Sequence, residues 1–209
     1  VETGKIIEVL SEEFAGTACD ITDVTDDGEI VVGSIAGRPA YWRKTPLTEG
    51  DFADQEWILL DVKENWNGGY VNAVTPDGKY GVGVCTGFYG THEDSDVPES
   101  YEFDIAPCLW DLSTGKIIET PNLPTRDMIH LDQHQNEFCG ISPDGRYILG
   151  RMDFSYVMPP ALFTYVYDRE TEEYEAIGFE DNPIDDWKPK AEGLLFTNFP
   201  AMSPNGEWV

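Results

Sequence analysis

A short phrase returns four times along the 209 residues: Asp23-Val-Thr-Asp-Asp-Gly28, Ala73-Val-Thr-Pro-Asp-Gly78, Gly140-Ile-Ser-Pro-Asp-Gly145 and Ala201-Met-Ser-Pro-Asn-Gly206. An apolar residue and a Thr or Ser end a strand. Pro or Asp, then Asp or Asn, then Gly supply a tight turn in which Gly takes the positive φ that other residues resist. A second strand follows at once in Glu29-Ile-Val-Val-Gly33, Lys79-Tyr-Gly-Val-Gly83 and Arg146-Tyr-Ile-Leu-Gly150. In these copies the second glycine falls five residues after the first, so a whole hairpin is repeated.

Another repeated phrase lies downstream. Cys108-Leu-Trp-Asp-Leu-Ser-Thr-Gly-Lys-Ile-Ile-Glu119 reads as an aromatic strand, a turn and a further strand, and residues 164–177 repeat it. Ala40-Tyr-Trp-Arg43 and Trp57-Ile-Leu-Leu-Asp-Val62 form a looser version, and Glu2-Thr-Gly-Lys-Ile-Ile-Glu8 matches its second half. Each full unit therefore has four antiparallel strands, labelled a to d. Such units at this spacing predict an all-β chain of β-propeller blades. The expected blades lie near 20–62, 70–121 and 137–179, with partial blades at 1–10 and 199–209. Because a propeller ring takes about 4–8 blades, the expectation is a segment of a ring of six to eight. The turn glycines are 50, 67 and 61 residues apart, longer than the roughly 40–50 of common repeats, so the excess is expected in loops.

The phrases resemble propeller repeats of the TolB type, whose units carry a similar Ser-Pro-Asp-Gly turn, and extracellular repeats with a Val-Val-Gly strand followed by an aromatic-Trp strand. The resemblance implies a scaffold and leaves function open, since such blades serve very different proteins. It also implies export, to the periplasm, the cell surface or the medium.

With 13 Lys and Arg against 40 Asp and Glu, the formal charge is −27, which argues against binding nucleic acid through its phosphates. No apolar run approaches the roughly 20 residues of a membrane helix. The acidity reads first as a solvated surface. Calcium is the alternative, since Asp23-x-Thr25-x-Asp27-Gly28 resembles the start of a calcium loop. However, Ser34 stands where the closing Glu belongs, and the other copies lack the first acid. The motif reads as a turn.

In a propeller the a–b and c–d turns share one rim, and the b–c and d–a connections share the other. The a–b turns are short here, whereas residues 88–104 and 126–134 read as long connections on the opposite rim, where binding residues are expected. All three histidines, His92, His130 and His134, fall in these two stretches. His130, Asp132 and His134 alternate on one side of an extended segment, and with His92 or Glu93 they make a candidate zinc or other transition-metal site. Trp66 and Trp187, set among polar residues of d–a connections, are candidate platforms for a sugar ring or a protein partner. The bland alternatives are surface histidines and tryptophans that cap the blades. Trp42, Trp57 and Trp110 lie in strands and are expected in the core.

No catalytic set stands out. There is no Gly-x-Ser-x-Gly elbow, phosphate-binding loop or His-Glu-x-x-His helix, and among 40 acids no pair singles itself out. Cys85 and Cys108 are expected on neighbouring strands as buried thiols, with a disulfide as the alternative. The leading reading is a non-catalytic binding or scaffold module for a protein or glycan, with no cofactor. The alternative is the propeller part of a larger peptidase or glycan-active hydrolase whose catalytic residues lie elsewhere.

Overall fold

The computed structural model describes residues 18–43, 57–64, 66–89, 102–121, 135–154 and 161–177, and all that follows concerns these. They contain strands and turns, with no helix. The first blade comprises β1 (Cys19–Val24), β2 (Ile30–Ile35), β3 (Arg38–Arg43) and β4 (Trp57–Leu59). The second comprises β5 (Gly68–Val74), β6 (Tyr80–Tyr89), β7 (Glu102–Asp111) and β8 (Lys116–Ile118). The third comprises β9 (Gln135–Ile141), β10 (Tyr147–Phe154), β11 (Ala161–Asp168) and β12 (Glu173–Ala176). Each is an antiparallel meander of four strands, as the repeats predict. A single parallel bridge, Ile105 to Gln135, links the second blade to the third.

The repeated turn is built the same way three times. Gly28, Gly78 and Gly145 have φ of 70°, 65° and 73°, and each donates its N–H to the carbonyl of Thr25, Thr75 or Ser142 at 2.8 Å. The carboxylates of Asp27, Asp77 and Asp144 accept from the hydroxyls of those same residues at 2.6–2.7 Å and from the N–H groups of Glu29, Lys79 and Arg146 at 2.9–3.0 Å. These bonds hold the Asp77 and Asp144 carboxyls below the usual carboxylate range, the hydroxyl bond being the main cause. Asp23 is equally committed: it accepts from Val24 N–H at 2.8 Å and, in the next blade, from Val74 N–H at 2.9 Å. The calcium-like phrase is a turn and a seam.

The repeated second glycine has a different cause. Strand a of every blade carries a β-bulge at one equivalent residue, Thr22, Asn72 or Cys139, where the register skips. The bulge presses the a-strand carbonyls of Asp20 and Tyr70 against Gly33 and Gly83, while the Tyr165 ring lies over Gly150. A side chain at any of the three would collide with its neighbour.

The core runs between blades. Ile30, Val32, Tyr41 and Leu60 of the first blade meet Val71, Val74, Cys85, Cys108, Trp110 and Leu112 of the second. Val82 and Leu109 meet Phe138, Ile148, Tyr165 and Tyr167 of the third, and Tyr167 stacks on Tyr174 at 4.6 Å between ring centroids. Trp42, Trp57 and Trp110 are buried, as their strand positions predict.

Candidate functional site

The two rims differ in construction. In the first blade the b–c connection is a two-residue turn, Ala36-Gly37, with φ of 54° and 72°, and pairing stops at Ile35 with Arg38. In the second blade the equivalent hairpin continues past that level until Tyr89 pairs with Glu102. These four extra residues reach about 13 Å further. In the third blade the pairing ends at Phe154 with Ala161, two residues and about 7 Å beyond the same level. Two neighbouring arms thus rise from one rim. The strands extend into the stretch that the sequence reads as loop: Phe88, Tyr89 and Glu102 to Asp104 are paired backbone. Cys85 and Cys108 accordingly sit well within β6 and β7.

Trp66 lies where the chain enters β5. It is half-buried against the first core cluster, and its ring packs over Gly87, with ring atoms 3.0–3.4 Å from where a Cβ would sit. It therefore braces the longer arm at its base. His92, Glu93, His130, Asp132, His134 and Trp187 lie outside the described residues. Among the described residues no group of three or more metal-ligating side chains comes together.

Beneath the arms, at the seam of the second and third blades, is a polar cluster that sequence reasoning missed. The Glu137 carboxylate pairs with Arg151, the side chains being 12% and 24% exposed. It also accepts from the Tyr70 hydroxyl at 3.1 Å and from Asn72 Nδ2 at 3.4 Å. Asn72 Nδ2 bonds the Phe138 carbonyl at 2.8 Å, and the Tyr165 hydroxyl donates to Asn136 Oδ1 at 2.5 Å. Burial, and then the Glu137 charge, raise the Tyr70 hydroxyl well above its ordinary value. The same two causes push the Cys139 thiol up to about 12. A thiol held protonated is no nucleophile at neutral pH. With its charges paired and its hydroxyls protonated, the cluster is suited to locking two blades, not to acid–base work.

Cys85 and Cys108 are free and buried, and the Cys108 thiol donates to Cys85 Sγ at 2.7 Å. Burial drives the Cys108 thiol strongly upward.

The tight-turn rim uses its charges locally. Arg146 binds Asp168 through two nitrogens at 3.0 and 2.7 Å and reaches Glu170 at 2.5 Å. Arg169 donates to the Gly145 carbonyl at 2.7 Å and lies 4.2 Å over the Tyr80 ring of the neighbouring blade. Lys79 stands 4.8 Å from the same ring.

No family model and no curated protein matches the chain. Among solved structures, a putative TolB from Agrobacterium tumefaciens aligns with a TM-score of 0.41 at 18% identity, over 77% of this chain and 47% of that one. Hydrazine synthase from Kuenenia stuttgartiensis aligns with a TM-score of 0.36 at 14% identity, over 88% of this chain and 58% of that one. The chain thus spans about half the length of either. The blades themselves rest on the pairing described above. No helix among the described residues is long and apolar enough to cross a membrane.

Proposed function

We propose that the chain is a non-catalytic module of an exported propeller that binds a protein or glycan through the b–c/d–a rim. The observation that carries this reading is the pair of arms, β6–β7 and β10–β11, raised side by side on one rim while the a–b turns on the other stay short. Paired strands hold the arms rigid, and the segments they carry, 90–101 and 155–160, are where a rigid scaffold presents contacts. Trp66, at the base of the longer arm, offers an aromatic surface beside them. The polar cluster around Glu137 beneath the arms is consumed by its own bonds, which favours recognition over catalysis.

Because Tyr89 and Glu102 are directly paired, residues 90–101 can be replaced by Asn-Gly, which closes a two-residue hairpin. Wild type, this variant and Trp66→Ala would be compared on a glycan array and as bait in proteomic capture. The reading expects a ligand held by wild type and lost from the shortened variant, with the folded β spectrum unchanged. Identical binding profiles for wild type and the shortened variant would refute it.

A further inference from the structure

The longer arm is rooted in a pair of thiols. Cys85 of β6 and Cys108 of β7 are 0% and 1% exposed and lie in the apolar cluster between the first two blades. The register sets Cys85 opposite Ala106 and Cys108 opposite Gly83, so the cysteines are diagonal neighbours on one face of the hairpin. A diagonal pair ordinarily stands further apart than a directly opposed one. Here the residues directly opposite are small, a glycine and an alanine, and the two side chains lean together until their sulfurs touch at 2.7 Å.

The other blades show that filling this place does not need sulfur. Cys108 faces Gly83 as Ala40 faces Gly33 and Tyr165 faces Gly150, and Cys85, two residues beyond that glycine, corresponds to Ile35 and Met152. The equivalent pairs are therefore Ile35 with Ala40 and Met152 with Tyr165. In the first blade Ile35 and Ala40 are both fully buried in an apolar cluster. Packing is thus met by apolar groups alone, and what the two thiols add is their chemistry. They also stand where a bond between strands has most to hold, because the whole arm, from Thr86 to Pro107, lies between them.

The two sulfurs are unequal. The bond from the Cys108 thiol, followed by the Lys63 N–H and the Lys63 charge, lowers the Cys85 thiol below its ordinary value against the effect of burial, while burial drives Cys108 the other way. Cys85 is therefore the sulfur that supplies a thiolate.

We propose that Cys85 and Cys108 are a redox couple that an organic disulfide oxidises to a cross-strand disulfide, clamping the arm at its base. The Cys85 thiolate, its proton lost to water, attacks one sulfur of the oxidant; the oxidant's S–S bond breaks, and one half departs as a thiolate that takes up a proton. Cys108 then gives up its proton and attacks Cys85 Sγ, the mixed bond breaks, and the second half departs in the same way. The pair loses two electrons and two protons, and the oxidant gains them as two thiols. Since both sulfurs are buried, the exchange takes place while the arm is folding or transiently open.

The test equilibrates the full 209-residue chain with reduced and oxidised glutathione at urea concentrations below and above its unfolding transition. After remaining thiols are blocked, trypsin releases both cysteines in one peptide, 80–116, while Cys19 and Cys139 fall in others. The proposal expects the folded chain to yield that peptide unblocked and lighter by two hydrogens. The equilibrium constant for the bond should be roughly a hundredfold above that of the unfolded chain, since a disulfide and the fold stabilise each other by the same factor. Peptide 80–116 blocked at both cysteines, carrying glutathione, or joined to the Cys19 or Cys139 peptide overturns the proposal. So does an equilibrium constant no greater in the folded chain than in the unfolded one.

Discussion

Replacing Gly83 and Gly140 by alanine separately tests the bulge that shapes every a strand. A Cβ at Gly83 would press into the Tyr70 carbonyl and stand 2.8 Å from Val71 Cα and 2.9 Å from Asn72 N. All are backbone atoms of a strand whose next residue, Asn72, ties two blades together, so nothing flexible can give. Alanine ordinarily gains roughly 0.5–1 kcal/mol over glycine inside a strand. Overpacking costs about 1–3 kcal/mol, and a clash with paired backbone belongs at the upper end. The net expectation for Gly83→Ala is a loss of about 2 kcal/mol, close to a thirtyfold shift in the folded-to-unfolded ratio. At Gly140 the nearest atoms to a new Cβ belong to the Leu149 side chain, 3.7 and 3.9 Å away, which is ordinary contact, and the second blade has Ala73 at the equivalent place. Gly140→Ala should therefore be neutral or gain up to about 1 kcal/mol. Urea unfolding followed by tryptophan fluorescence measures both as shifts of midpoint at constant slope. A Gly83→Ala protein as stable as wild type, or a Gly140→Ala protein equally damaged, would show that the bulge does not explain the repeated glycine.

Three further outcomes follow from the folded structure. Ala36 occupies the first central position of a two-residue hairpin with φ of 54°, a place suited to asparagine, so Ala36→Asn should stabilise the chain by roughly 0.5–1 kcal/mol in the same unfolding assay. Trp110→Phe removes a buried N–H and strands the Asp61 carbonyl; a loss of roughly 2 kcal/mol or more is expected, and a change within error would discount the seam bond. The Asp77 and Asp144 carboxyls are held below their ordinary values in the fold, so their contribution is present above roughly pH 4 and is lost as the pH falls through the depressed values. The double variant Asp77→Asn, Asp144→Asn should accordingly lose less stability than wild type on acidification below pH ~4, and parallel acid-denaturation curves would contradict the assignment.

What the sequence makes legible is what is local. Thr75, Asp77, Gly78 and Lys79 complete their turn among themselves, so four copies in a line reveal the hairpin, and two families of hairpin reveal the blade. The second glycine is visible as a pattern, but its reason lies in a bulge on the partner strand, which depends on register. The arms are harder to read because Phe88 and Tyr89 must pair with Phe103 and Glu102 across an intervening stretch, and neither flank alternates long enough to announce a strand. The seam cluster is harder still. Arg151 meets Glu137 only through the β9–β10 register, and Tyr70 meets Glu137 from 67 residues away. Trp66 reads as a free aromatic beside Asn67 and Gly68; only the folded chain brings Gly87 beneath its ring.

The bulge also explains why the seams can vary while the blades repeat. By interrupting the register, it lets the bulged side chain of the first two a strands reach the next blade. Thr22 uses that freedom to reach the Val71 carbonyl, and Asn72, at the equivalent place, reaches the Phe138 carbonyl. Val71 and Phe138 are themselves equivalent, so one acceptor is met by a hydroxyl at one seam and by an amide at the next. The requirement is a donor of suitable length at the bulge, not a particular residue. Asn72, longer than Thr22, also reaches Glu137 and so joins the seam bond to the ion pair with Arg151. The strand pattern needed to build a blade is thus kept constant, while the bulged position is free to set how firmly each neighbour is held.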